Sequence, residues 1–307
     1  MKKFRVFLIA LLALSFIICP AYAEFVEVDK TTGTTTTSNS VVTQKEKGLV
    51  DWTNNYVEAT GMAVAPTGTK GAQAKALARR GAMVDLQRNL LEFLVGVQID
   101  AETRMEDFMA NDKVRSEIHG IIKNVETLSG EWDGESYTVK GRIRLGQVRT
   151  IIAPHIPPAK VYPEVGATPD VEIYIDDTPE PAPAPRKAPV KKAPAKKARY
   201  TGLVIDVRHL PYVPAMSFQV FDANGRPVYG MNFVNQKNYL QSGICAYFNN
   251  INYARGELRV APSPIVAKAV RLGNNNVNIY ISNSDAAKVR SSSYDFRKEC
   301  KVIIVSK

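Results

Sequence analysis

The side chains best suited to chemistry are few and scattered. His119, His155 and His209 are the only histidines, and Cys19, Cys245 and Cys300 the only cysteines. None of the histidines has a second ligand at the spacing that zinc needs. His119 falls where a helix is expected to end, a favourable place for an imidazole against the helix dipole. Gly68-Thr69-Lys70-Gly71 precedes a helical stretch but lacks the leading glycine and the Gly-Lys-Ser/Thr order that cradle phosphates. No Gly-x-Ser-x-Gly elbow occurs to seat a nucleophile. The reading is therefore of a protein without catalytic, cofactor-binding or metal-binding residues.

Cys245 and Cys300 allow two readings. They could form a bridge across 55 positions. Its loop entropy would cost the unfolded chain roughly 4 kcal/mol. They could equally be two buried free thiols beside Ile244 and Val302, acting as small hydrophobes. Arg79, Arg80 and Arg88 likewise form either a basic face for an acidic partner or a solvated face. In the second case Asp85 and Glu92, within one turn of Arg88, supply pairs worth ~0.3–0.5 kcal/mol each. Tyr229, Phe233, Tyr239, Tyr247, Phe248 and Tyr253 offer aromatic surface for a glycan, or core.

The elements that must hold these residues begin with a leader. Lys2, Lys3 and Arg5 precede an apolar run from Val6 to Ile18 and the triplet Ala21-Tyr22-Ala23. This reads as a secretory signal peptide over residues 1–23. The run of 13 residues falls short of the ~20 that a membrane span needs. Ile18 stands where a lipobox wants a small residue before Cys19, so lipidation is the lesser reading. No later segment is apolar enough to span, and the chain is expected to be exported, to the periplasm or in association with the outer membrane. Cys245 and Cys300 then face an oxidising compartment.

The chain of 307 residues carries 40 Lys+Arg and 30 Asp+Glu, a formal +10. That excess is local. Residues 24–185 hold 17 bases and 24 acids, residues 186–199 seven bases and no acid, and residues 200–307 13 bases and six acids. This is not the footprint of a DNA-binding fold, and nucleic acid is not an expected partner. Residues 24–49, with TTGTTTTSNS, read as a disordered tether. Residues 50–153 read as a small α+β domain of order β-α-α-β-β. A strand runs from Tyr56 to Val64 and a helix from Lys70 to Leu94, its stripe Ala76/Leu77, Met83/Val84, Leu90/Leu91 and Leu94. A second helix is expected from Asn111-Asp112 to His119, stopped by Gly120. Two strand-like runs then flank Trp132-Asp133-Gly134-Glu135.

Residues 154–199 read as a Pro/Ala/Lys-rich linker, either a spacer extended by self-repulsion or a weak contact for anionic envelope polymers. Residues 200–307 read as a second, mixed α/β domain. Its strands are Thr201–Val207, Ser217–Phe221, Pro227–Tyr229, Ile265–Leu272, Val277–Ile281 and a closing buried strand Cys300–Val305. A helix region is expected over Gln236–Ala254, and a capped helix opens at Ser282.

The run Gly61-Met62-Ala63-Val64-Ala65-Pro66, then Gln73-Ala74-Lys75-Ala76-Leu77-Ala78-Arg79-Arg80-Gly81-Ala82, resembles the LPP-twenty family of small exported lipoproteins. It is similar also to the N-terminal domain of flagellar assembly protein T. The segments Asp85–Glu92, Gly96–Ile99 and Val114–Gly120 continue the series, and the likeness covers about residues 55–146. It implies a non-enzymatic protein built for contacts with other envelope proteins, as in flagellar or envelope assembly. The alternative is a periplasmic protein that binds a ligand or a cell-wall polymer.

Overall fold

The computed structural model describes residues 39–156 and 198–307, and the backbone of two short strands before them. Those strands, β1 (Val26–Val28) and β2 (Thr35–Thr37), pair antiparallel with Glu27 opposite Thr36. The segment read as a signal peptide, Cys19 and the Lys-rich run up to Lys197 lie outside the described residues.

From Asn39 the chain forms β3 (Val42–Lys45), β4 (Gly48–Asp51) and β5 (Tyr56–Val64). Three helices follow: α1 (Gly71–Val95), α2 (Met105–Phe108) and α3 (Asp112–Lys123). Then come β6 (Glu126–Trp132), β7 (Ser136–Arg144) and α4 (Leu145–Ile152). The strands make one antiparallel sheet in the order β3-β4-β5-β7-β6. Ordered structure thus reaches into the stretch 24–49 read as a tether. Val41 and Val50 are buried, and their packing holds the β3–β4 hairpin on the sheet.

α1 lies on one face of this sheet, and its buried stripe agrees with the expected one at Leu90 and Leu94 but not in its first half. Ala74, Ala78, Ala82, Leu86, Leu90, Phe93 and Leu94 face inward, whereas Ala76 is exposed and Val84 is 66% exposed. The reason is distance. The helix crosses β5 where a Cβ on Gly61 would run into the backbone of Ala82 and Leu86. Only small residues fit so close a crossing, so alanines take the contact that larger apolar residues would prevent. α1 also covers the strand's free edge: Asp85 accepts from the Met62 N–H at 3.0 Å, and Asn89 donates to the Thr60 carbonyl at 2.8 Å. α3 runs past Gly120 to Lys123, because Ile118 and Ile122 continue the apolar period and both are buried. His119 is therefore inside the helix rather than at its end.

The C-terminal part contains β8 (Gly202–Asp206), β9 (Val220–Asp222), β10 (Pro227–Tyr229), α5 (Gln236–Ser242), β11 (Ala246–Phe248) and α6 (Ile251–Gly256). It continues with β12 (Pro264–Gly273), the single turn α7 (Asn274–Val277), β13 (Asn278–Ile281), α8 (Asn283–Ser291) and β14 (Val302–Val305). The strands form a mixed sheet in the order β10-β9-β13-β12-β8-β14-β11. The region expected as helix, Gln236–Ala254, is broken in the middle by β11. Its Tyr247 points into the core, and strand geometry is what joins Ala246–Phe248 to β14. Ser282 caps α8 as its sequence suggests, accepting from the Asp285 N–H at 3.1 Å.

One face of this mixed sheet meets the N-terminal part. Leu203, Ile205, Ile279 and Ile304 share a continuous apolar core with Leu86, Leu90, Ile118 and Val148. On the other face α6 covers only part of the sheet, packing Ala254 against Val204, Ile303 and Val305.

Candidate functional site

The seam between the two parts holds the buried Arg149 and Ser217, and α4 supplies its centre. Leu145, Val148 and Ile152 recur at helical spacing and turn into the core. Arg149, next to Val148, is carried inward with them and is 5% exposed. Its Nη2 donates to Asn55 Oδ1 at 3.2 Å, its Nη1 points to the Leu240 carbonyl at 3.5 Å, and the guanidinium lies 5.7 Å from the Tyr239 ring centre. Among the described residues no carboxylate pairs with it, and neither its Nε nor the Tyr239 hydroxyl has a hydrogen-bond partner. Burial lowers the Arg149 pKa, and nearby Arg259 adds to the effect.

A charge buried without a counter-ion is costly, so the surroundings must compensate. They do so through a helix end. Arg259 donates to the carbonyls of Ser242, Gly243 and Cys300 at 2.8–2.9 Å. Both arginines thus converge on the last carbonyls of α5, the pole that carries partial negative charge. Gly243 makes this possible in two ways. Its φ of +72° suits glycine, and a Cβ there would stand 2.8 Å from Arg149 Nη2. A hollow of about 10 Å³ beside Trp52, Asn55, Arg149 and Cys245 has room for one water.

Other contacts stitch the same seam. The Met216 and Ser217 N–H groups donate to the Gln98 and Ile99 carbonyls at 3.1 and 2.7 Å. Trp52 meets Tyr247 edge-on at 5.8 Å, and Thr53 Oγ1 donates to the Tyr247 carbonyl at 2.6 Å. Asn275 Nδ2 donates to the Ala101 carbonyl at 2.8 Å from a left-handed turn in which Asn274, Asn275 and Asn276 have φ of +41°, +53° and +62°. Asparagine tolerates that conformation better than most side chains.

The chemistry open to the seam is limited. Cys245 and Cys300 are free thiols and both are buried, so the structure holds no bridge between them. Burial pushes the Cys245 thiol up to about 12 and raises Cys300 as well, which keeps both protonated and poorly nucleophilic near neutrality. Tyr229, Tyr239 and Tyr247 are core residues. Phe233 lies under the Arg297 guanidinium at 4.6 Å, and Phe248 packs on Tyr253 at 5.1 Å. The six aromatics do not form one surface. His119, on α3, is half-buried; His155 is exposed in a short turn after α4; His209 is exposed with its Nε2 3.0 Å from the Ala269 carbonyl. The structure does not bring them together. Gly68, in the turn before α1, and Gly71, the first residue of α1, adopt positive φ.

The outward surfaces are different in kind. Arg88 pairs with Asp85 at 2.5 Å, but Arg79 and Arg80 have no carboxylate among the described residues. With Ala76, Leu77 and Met83 they line an open hollow of about 440 Å³ on α1. Arg149 and α4 were not anticipated from sequence. The signal was present in the Leu145, Val148, Ile152 spacing, but it follows directly on a strand and runs into the Pro154 stretch.

Residues 202–307 match the family described as Treponema pallidum Tp0624, second domain. The match opens at the first residue of β8 and takes in the whole mixed sheet. No curated protein matches the chain. The likeness to the Tp0624 second domain is one of sequence family and carries no activity with it.

Proposed function

We propose that this chain is an exported, non-enzymatic structural and interaction protein of the bacterial cell envelope, acting through contacts with other envelope proteins. The observation that carries this reading is where polar and apolar groups are spent. The thiols, the buried arginine and three of the six aromatics are consumed inside the fold, while apolar and cationic side chains stay outward on α1 and β12. The sequence likeness of residues 55–146 to the LPP-twenty family supports the same reading, with flagellar or envelope assembly as its specific form. The leader supports export, and no helix among the described residues is long and apolar enough to cross a membrane.

Affinity capture with the full exported chain from envelope extracts, run beside a glycan array, tests the proposal. Saturable, stoichiometric recovery of a protein partner supports it. No protein recovery together with a saturable glycan signal would overturn it in favour of a wall-polymer binder.

A further inference from the structure

Among the described residues, the outer face of β12 is a part of the C-terminal sheet that α6 does not cover. Along β12 burial alternates: Ile265, Ala267 and Ala269 face the core, while Val266 is 37% and Val270 56% exposed. A register shift between Ala269 and Arg271 turns Val270 and Arg271 to the same outer side. Beside them stands a cross-strand ladder, with Arg271 opposite Tyr280 and Tyr280 opposite Phe221. The Arg271 guanidinium sits 3.3 Å from the Tyr280 ring centre, and that ring stacks on Phe221 at 5.2 Å. The arginine is thereby held in place rather than left to wander.

The charges on this face are unmatched. Lys268 neighbours Asp206 in the β8 register, but Arg208 occupies that carboxylate at 2.8 and 2.9 Å. Among the described residues neither Lys268 nor Arg271 forms an ion pair. On the five-stranded sheet, by contrast, Lys140 pairs with the buried Glu58 at 2.7 Å and Arg142 with Glu126 at 2.9 Å. β12 therefore presents Val266, Lys268 and Val270 in line on one face, with Arg271 beside Val270 and neither cation in an ion pair among the described residues.

We propose that the outer face of β12 docks an acidic amphipathic helix of a partner protein, beside α6 and completing the helical layer that α6 begins. A helix rather than a strand is implied because β12, paired with β8 over Pro264–Lys268 and with β13 over Ala269–Gly273, offers its exposed groups as side chains on a sheet face. Strands buried in parallel pairings are normally covered on both faces. Val266 and Val270 lie about 13 Å apart at ~3.3 Å per residue, which two to three turns of helix would span. Acidic side chains beside its apolar ones would meet Lys268, between the valines, and Arg271, next to Val270. This names the partner chemistry of the interaction reading above and rests on it.

The test uses the whole exported chain and three synthetic peptides of about 18 residues, or five helical turns. One is a Leu/Glu amphipathic helix, one its Leu/Lys counterpart, and one a Leu/Glu peptide with the leucines scrambled. The expected result is saturable binding of the Leu/Glu helix, with amide shifts confined to β12, β13 and α6. The double variant Lys268→Glu/Arg271→Glu should weaken it at least about tenfold and gain affinity for the Leu/Lys helix. An unchanged Tm shows that the variant is folded. Equal binding of all three peptides, shifts on α1 instead, or binding only to anionic lipid vesicles would overturn the proposal. Envelope capture separates the two levels. If the double variant still recovers every protein partner of the natural chain, this surface is wrong while the interaction reading stands.

Discussion

The seam at Arg149 and the outer face of β12 both place guanidinium groups beside apolar residues and aromatic rings, yet their surroundings make opposite use of them. At the seam, carbonyls at the end of α5 surround Arg149 and Arg259, and the side chains are locked into one arrangement. On β12, Lys268 and Arg271 face outward with no carboxylate among the described residues. The comparison teaches that an arginine's burial decides its use. Inside, charge serves to fix one packing of two parts; outside, the same charge is free to select a partner.

The largest effect should come from removing the seam's arginine. Arg149→Ala leaves a cavity and strips the Leu240 carbonyl of its donor, and should cost about 3 kcal/mol in urea unfolding. Arg149→Met sharpens the point. If it restores full stability, packing alone matters and the helix-end electrostatics do not.

Gly243→Ala should cost about 2 kcal/mol, since its backbone occupies a region that is nearly glycine-only. Part of that cost is the contact with Arg149. In the Arg149→Ala background the penalty should shrink, and a double-mutant cycle measures the difference. Strict additivity would break the link drawn between the two residues.

Alkaline pH gives a third effect, smaller than the first two over the first pH unit above 9. Cys245 ionises near its ordinary 9.0 when unfolded but only at about 12 when folded. Above pH 9 the unfolded chain therefore binds fewer protons, and stability falls as pH rises towards 12. The slope is at most ~1.4 kcal/mol per pH unit for each such thiol. Below pH 9 these thiols contribute no pH dependence. Titration of the denatured, unreduced protein should then return both Cys245 and Cys300 as free thiols, and none would restore the bridge.

The smallest effect should be on β12. Lys268→Glu and Val270→Thr should each leave stability within about 0.5 kcal/mol, because neither side chain is buried. A loss comparable with that of Arg149→Ala would mean that this face is already engaged within the chain.

Local signals were legible wherever one segment contains both the residues and their reason. Ser282 three positions before Asp285 predicts a capped helix. Asp222-Ala223-Asn224-Gly225-Arg226 predicts a turn, and Asp222 indeed accepts from the Asn224 and Arg226 N–H groups. The run Val302–Val305 is apolar throughout and is buried throughout. These features depend on neighbours a few residues away.

Sequence alone determined the α+β character and the buried closing strand. Only the tertiary structure decided which side of α1 is inside, because that depends on how closely Gly61 lets a helix approach. Only it showed β11 dividing an expected helix, since pairing with β14 outweighs local preference. And only it brought Arg149 to Tyr239 and Gly243, some 90 positions away, where a buried guanidinium could be balanced by the end of a helix. Periodicity records which residues avoid water; it does not record what they meet.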